Sequence, residues 1–279
     1  MLQLIRTSTP EPIKDWLWAS RQVAGRESMR TYLRLRRLRR RVRNGGLGPP
    51  AAASPPVEIS LKPLRGQPFY VRPGTTDIDS VWNVLIRDRE APPPEVSAPR
   101  TILDLGANVG AMMAYAAVRF PSAKVVGVEV DPASADLCRR NIAPWQERCT
   151  LIQSAIWGTD EEVSYRQRPG SEWSTQVIGA CPSREDTTRV RGITLDGLVR
   201  ELELSWIDYL NVYVNIEGSE RKLFAGKGEW ASRVGCIKVA AHYPADECAR
   251  DLSRLGFRIL RIDTRPITPR VVAIRPRGS

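Results

Sequence analysis

The 279-residue chain has one histidine, His242, and five cysteines, Cys138, Cys149, Cys181, Cys236 and Cys248. A single histidine argues against a multi-histidine metal centre. The cysteines are scattered, odd in number and never at CxxC spacing, which argues against a zinc knuckle or a disulfide framework and leaves reduced thiols as the simplest reading. No metal ligands are assigned. The sequence also lacks an apolar run of about 18 residues, so no transmembrane helix is expected. The N-terminus has no continuous apolar stretch followed by a small-residue cleavage site, so a secretory signal is not indicated and a cytoplasmic location is expected.

Acidic charge is scarce at one end only. Residues 1–50 hold twelve Lys and Arg against three acids, a net +9 out of +11 for the whole chain, so the remainder is close to neutral. The basic excess therefore marks an arm and not the body. An acidic partner, whether nucleic acid, an anionic membrane surface or an anionic ligand, is one use of such an arm. A solvated helix packed on the body or on a second subunit is the plainer one, which makes the arm a candidate docking or homo-oligomerisation element. Thr9, Pro10 and the stripe Ile13, Trp16, Leu17, Val23 predict a helix over 9–23, and residues 26–43 read as a second.

The sequence divides into a basic helical arm (1–50), a linker and lead-in β/α segment (51–100) and a main domain (101–279). GGLGPPAAASPP (45–56) and EAPPPEVSAPR (90–100) are the breaks. Between them VEISL and FYVRP alternate as strands, and Ile78, Val81, Trp82, Leu85 and Ile86 form a helical stripe. From 101 onward, strands and helical patterns alternate, which predicts a doubly wound, mostly parallel α/β sheet. DTRPITPR, between the last two strands, is too short for a helical crossover, so that pair is expected to be antiparallel. This is the Rossmann-like layout of class I methyltransferases. Residues 162–192 read as a β excursion or loop.

The strongest local motif is Asp104-Leu105-Gly106-Ala107-Asn108-Val109-Gly110, at the end of a buried strand and the start of a helix. Gly106 permits a tight turn, Gly110 is expected to bring helix and strand together, and the helix-start N–H groups can receive an anionic ligand group. Glu129, 25 residues after Asp104 at the next strand tip, can accept hydrogen bonds from two ribose hydroxyls. The pattern serves NAD or S-adenosylmethionine (SAM). GxNxG in place of GxGxxG, with Asp104 ahead of the turn, favours SAM, which is cationic and has no pyrophosphate. Ser154 and Ala155 follow the third strand, where adenine would pass. Trp157 beside them reads equally as core.

With these residues in view the chain resembles the FkbM family of SAM-dependent methyltransferases. The matching segments are VRPGTTDID (71–79), TILDLGANVGAMMAYAA (101–117), AKVVGVEVDP (123–132), ITLDGLV (193–199) and IDYLNVYVNIEGSERKLF (207–224). The resemblance implies O-methylation of a hydroxyl on a small or medium-sized metabolite, such as a sugar or natural-product group. It adds Thr76 and Asp77 as pocket candidates, and Arg72 as either a carboxylate binder or half of a structural ion pair. It also implies that Asn215, Glu217 and His242 position the acceptor. The chain departs from the family pattern at three positions. Tyr213 stands where lysine is usual, Asn215 where aspartate is usual, and Ala240 where the fifth strand usually carries glutamate. These neutral positions motivate a rival reading, a SAM-fold scaffold without catalysis. A nucleic-acid methyltransferase is a second rival, disfavoured because the fourth strand tip reads NIEG and lacks an (N/D)PP(Y/F) turn.

Overall fold

The computed structural model describes residues 11–44, 55–168, 171–179, 187–213, 222–224, 228–264 and 268–276. The chain forms two compact units, Met1–Arg89 and Glu90–Ser279. The sequence reading separates 1–50 from 51–100. In the structure the basic helices share the first unit with residues 55–89 of the lead-in segment, and 90–100 fall in the second.

The first unit starts with α1 (Glu11–Gln22) and α2 (Gly25–Arg43). A short antiparallel hairpin follows, β1 (Val57–Ser60) with β2 (Pro68–Val71). Helix α3 (Asp77–Ser80) then runs into the wider-wound helical turn Val81–Ile86. Tyr32 and Leu35 of α2 are buried, as are Ile59, Phe69 and Ile78. On the same side of α2, Arg36 and Arg39 each reach Asp79 at 2.8 Å. The Arg36 guanidinium also lies over the Trp82 ring, 4.9 Å from its centroid. Apolar area and paired charge thus hold α2 on one face, in line with its 3.6-residue period.

The second unit is built on a seven-stranded sheet. Its strands are β3 (Thr101–Leu105), β4 (Lys124–Glu129), β5 (Cys149–Gln153), β10 (Ile207–Val212), β11 (Val234–Ala240), β12 (Arg258–Asp263) and β13 (Arg270–Ile274). Their spatial order is β12-β13-β11-β10-β3-β4-β5. The five from β11 to β5 run parallel, and β13 is antiparallel to both β11 and β12. Numbered in chain order, the seven read 3-2-1-4-5-7-6, the class I methyltransferase arrangement expected from the alternating pattern and the short last loop. Helices α4 (Ala111–Arg119), α5 (Pro132–Ile142), α6 (Leu195–Glu201) and α7 (Ala245–Arg254) provide the connections. Both faces being covered, β3, β10 and β11 are buried along nearly their whole length.

Of residues 162–192, expected to form a β excursion or loop, the described parts are mainly strands. The short β6 (Ala155–Ile156) pairs with β9 (Thr188–Ile193), which pairs with β7 (Glu162–Arg168), and β7 pairs with β8 (Ser171–Gly179). Strand order reverses between β3 and β10. The carboxyl ends of these two strands are where an open α/β sheet leaves a crevice for a ligand.

Candidate functional site

Asp104 is the fourth residue of β3 and only 1% exposed. Parallel pairing sets it opposite Asn211 of β10, and Asn211 Nδ2 donates to Asp104 Oδ1 at 2.8 Å. The phenol of Tyr209 donates in turn to Asn211 Oδ1 at 3.3 Å. The other carboxylate oxygen, Asp104 Oδ2, is buried and has no hydrogen-bond partner among the described residues. Burial pushes the acid up to about 7; the Asn211 bond opposes the rise, and the Glu90 and Glu129 carboxylates add to it.

The loop after β3 folds back on β4. The N–H groups of Gly106 and Ala107 both donate to the Val128 carbonyl at 2.9 Å. Gly106, Asn108 and Gly110 all have positive φ, 85°, 49° and 81°. Asparagine is one of the few side chains that tolerates that region. A Cβ on Gly110 would fall 2.8 Å from Cys138 Sγ and 3.3 Å from Ile142 Cγ2. Gly110 therefore serves the approach of α4 to α5, and not the helix–strand contact expected from the sequence. The residue that allows close approach on the strand side is Gly127 of β4, where a Cβ would lie 2.3 Å from Met113 Sδ and 3.0 Å from Ala107 Cβ.

Glu129 ends β4, and its carboxylate is fixed by three backbone N–H groups. Asn108 donates to Oε2 at 2.7 Å, and Val130 and Asp131 donate to Oε1 at 2.9 Å each. A carboxylate has about four acceptor positions, so one remains, on Oε2. Burial raises Glu129 to about 7 against the pull of these bonds. Asp131 caps α5 through Ser134 N at 2.8 Å, with Pro132 in the first turn as the sequence predicts.

Ser154 follows β5, 1% exposed, and its Oγ also has no partner among the described residues. Ala155 beside it is fully buried. Trp157 belongs to the apolar core, with the Lys222 ammonium 3.7 Å from its ring centroid. Tyr165 of β7 is buried near the same acids. Desolvation pushes its phenol up to about 12, and the Asp131 and Glu129 carboxylates contribute.

Asp104, Gly106, Asn108, Gly110, Glu129, Ser154 and Ala155 thus gather at the carboxyl ends of adjacent strands. Thr76 and Asp77 lie in the first unit, both buried. There Arg72 engages Asp77 through Nε at 2.9 Å, Nη2 at 2.8 Å and its backbone N at 2.8 Å. Of the two readings of Arg72, this geometry is the structural ion pair. Asn215 and Glu217 lie outside the described residues, as does Cys181. His242 is exposed just past β11, and its ring meets Tyr213 edge-on, centroids 6.1 Å apart.

A buried charge cluster adjoins this strand tip, and none of its members is a sequence candidate. Arg270 of β13 stands 4.9 Å over the Tyr213 ring and pairs through Nε and Nη2 with Glu90. Lys238 Nζ lies 3.8 Å from the same carboxylate and donates to the Ala91 carbonyl at 3.2 Å. Polar residues inside otherwise apolar strands, Asn211 in IDYLNV and Lys238 in VGCIKVA, are the signals that could have revealed them. Among the described residues, no group of three or more His, Cys, Asp or Glu side chains could hold a metal ion.

Two orphan buried oxygens and one vacant carboxylate acceptor position, around a turn rich in backbone N–H groups, fit a ligand that carries hydroxyl and ammonium donors. The donor set of SAM, an α-amino group, ribose hydroxyls and an adenine amine, matches that demand.

Comparison with known proteins agrees. A model of the FkbM methyltransferase domain matches residues 104–259, more than half of the chain. The tRNA1(Val) (adenine(37)-N6)-methyltransferase of Shewanella baltica (strain OS185) is 33% identical over 75 residues, 26% of this chain and 31% of that protein. The rRNA N(6)-adenosine-methyltransferase metl-5 of Caenorhabditis elegans is 30% identical over 66 residues, 23% and 31% of the two chains. The chain thus spans less than a third of the length of these relatives. An O-methyltransferase family protein from Burkholderia thailandensis aligns at TM-score 0.46 with 13% identity, covering 73% of this chain and 59% of its own. Fibrillarin from Aeropyrum pernix, solved with SAM bound, aligns at TM-score 0.40 with 12% identity, covering 64% and 68%. The chain belongs to the FkbM methyltransferase family, and SAM is its cofactor.

Proposed function

We propose that this enzyme is an O-methyltransferase acting on a hydroxyl of a small or medium-sized metabolite. The observation that carries the reading is the pairing of exposed His242 with Tyr213 beyond the tips of β11 and β10. A hydroxyl is a weak nucleophile until its proton has somewhere to go, and an imidazole beyond the strand tips is a suitable acceptor. After β10 the sequence runs Tyr213-Val214-Asn215-Ile216-Glu217, without the (N/D)PP(Y/F) pattern. Asn215 and Glu217 are the proposed partners of His242 in orienting the acceptor.

SAM supplies the electrophilic methyl group. The residues proposed to hold it are Asp104, Asn108 and Glu129, with Ser154 and Ala155 toward adenine and Gly106 and Gly110 shaping the turn. Asp104 Oδ2 is the candidate acceptor for the amino acid end, and Glu129 Oε2 for a ribose hydroxyl. Most of the remaining catalytic effect then comes from alignment of the acceptor oxygen.

The named activities of the curated relatives favour a second reading, transfer to an adenine amine in RNA. Incubation with methyl-tritiated SAM separates the two. Label in a panel of glycosides and phenols, and none in bulk tRNA or rRNA, is the expected result. Label confined to adenine of RNA would overturn the O-methyl reading.

A further inference from the structure

The exposed positions of α2 are Gly25, Arg26, Glu27, Arg30, Arg34, Arg37, Arg41 and Arg43. Five of these arginines, 26, 30, 34, 37 and 41, fall at steps of four, four, three and four. That is the spacing of one continuous helix face. At 1.5 Å per residue the stripe is about 22 Å long. The five have no ion pair or hydrogen bond among the described residues, whereas Arg36 and Arg39 are spent on Asp79 on the other side of the helix. Glu27 is the helix's one acid.

Five like charges in a row repel one another and weaken an isolated helix. The fold retains this one because Tyr32, Leu35 and the Asp79 pairs anchor its opposite face. What remains outward is a pre-formed line of guanidinium groups, each able to fork two N–H donors onto a phosphate.

We infer that the α2 arginine stripe is a docking surface for the phosphodiester backbone of single-stranded RNA. Regularly repeated negative charge complements regularly repeated guanidinium. A membrane fits less well. A helix lying in a lipid interface sinks an apolar face; Tyr32 and Leu35 of α2 are buried in its own unit, Met29, Leu33, Leu38 and Val42 are half-buried, and the exposed positions carry no apolar side chain. The inference goes beyond the proposed acceptor chemistry and holds whichever hydroxyl or amine is methylated.

The test uses the full-length protein and a fluorescein-labelled 30-nucleotide oligouridylate, titrated from 50 to 300 mM salt. Five phosphate contacts predict a log–log salt slope of about −3.5, at roughly −0.7 per contact for a single strand. The triple variant R30Q/R34Q/R37Q should bind at least tenfold more weakly with a slope of about −1.4. R30K/R34K/R37K should retain most of the affinity. Circular dichroism and SAM affinity should match wild type in both, which keeps this test separate from that of the site. Equal RNA affinity for wild type and the Gln variant would overturn the inference. So would binding to phosphatidylcholine/phosphatidylglycerol vesicles without binding to RNA, or a change in self-association as the only effect of the substitutions.

Discussion

Asn211 Nδ2 sits 2.8 Å from Asp104 Oδ1, across the pair of strands where the sheet reverses its order. One oxygen of the acid is satisfied and the other is buried without a partner among the described residues. A site prepared for a donor is thereby held at some expense to the unliganded fold. With burial raising Asp104 from 3.8 to about 7, the native state binds the proton more tightly than the unfolded chain. The contribution of this group to stability is then greatest below about pH 4 and is lost as pH rises through about 7. Each tenfold difference in proton affinity between the two states corresponds to about 1.4 kcal/mol. Asp104→Asn should therefore raise the Tm of the SAM-free protein at pH 8 and flatten its change between pH 6 and 8. SAM affinity of the wild type should fall on acidification through pH 7, a trend the variant should largely lack. A Tm at pH 8 equal to or below that of wild type would remove the desolvated carboxylate from this account.

Glu129 binds the chain before it binds anything else. Its carboxylate joins the Asn108 N–H of one loop to the Val130 and Asp131 N–H groups of the next. Glu129→Ala should weaken SAM binding by about 1–3 kcal/mol, the scale of a lost hydrogen bond to a charged group. It should also lower stability in the absence of SAM, because three amides lose their acceptor. Calorimetric titration and urea unfolding read the two effects. Unchanged SAM affinity would take Glu129 out of the site.

Gly110 combines a φ of 81° with a missing Cβ that would meet Cys138 Sγ at 2.8 Å. Gly110→Ala should cost about 2–4 kcal/mol, strain and steric overlap together. Cys138→Ala in the same chain removes the closest contact and leaves the φ penalty and Ile142 Cγ2 in place. The double variant should recover part of the loss, so the two substitutions should couple favourably in a double-mutant cycle. Strict additivity in urea unfolding would show that α5 does not press on this turn.

The layout of the second unit was legible because it rests on period and loop length. Apolar runs that alternate with helical stripes dictate a covered parallel sheet, and an eight-residue link cannot carry a crossover helix. The turn from Gly106 to Gly110 was legible because left-handed backbone demands particular residues. Cross-strand partners were not. Asn211 is a polar residue in an apolar strand that register sets beside Asp104, and Lys238 is another whose ammonium reaches Glu90. Register depends on pairing across more than 100 residues, which no local pattern encodes. Arg72 and Asp77 show the converse. Both residues were visible, but a five-residue separation could not distinguish a ligand contact from the ion pair they form.

Glu90 faces two buried cations. Arg270 pairs with it through two nitrogens, and Lys238 lies 3.8 Å away, with all three side chains below 10% exposure. Removing one partner of a buried pair leaves an uncompensated charge and typically costs about 3–5 kcal/mol. Glu90→Ala should fall in that range or above it, since two cations are stranded. Arg261→Ala, which breaks the exposed pair with Glu95, should cost under about 1 kcal/mol. Chemical denaturation of both variants checks the contrast. A Glu90 variant as mild as the Arg261 variant would mean that water reaches the cluster freely.

His242 decides between catalysis and scaffolding. Its ring is exposed, so its removal leaves no cavity, and its edge contact with Tyr213 is of the kind worth about 0.5–1.5 kcal/mol. His242→Ala should therefore leave Tm nearly unchanged and SAM affinity within about twofold. Turnover should fall about 10²-fold or more, the usual contribution of a positioned proton acceptor. Tyr213→Phe keeps the ring against which His242 rests and should retain turnover. Wild-type turnover in His242→Ala would move proton acceptance to another group. Tight SAM binding with no turnover in the wild type would instead support the scaffold reading.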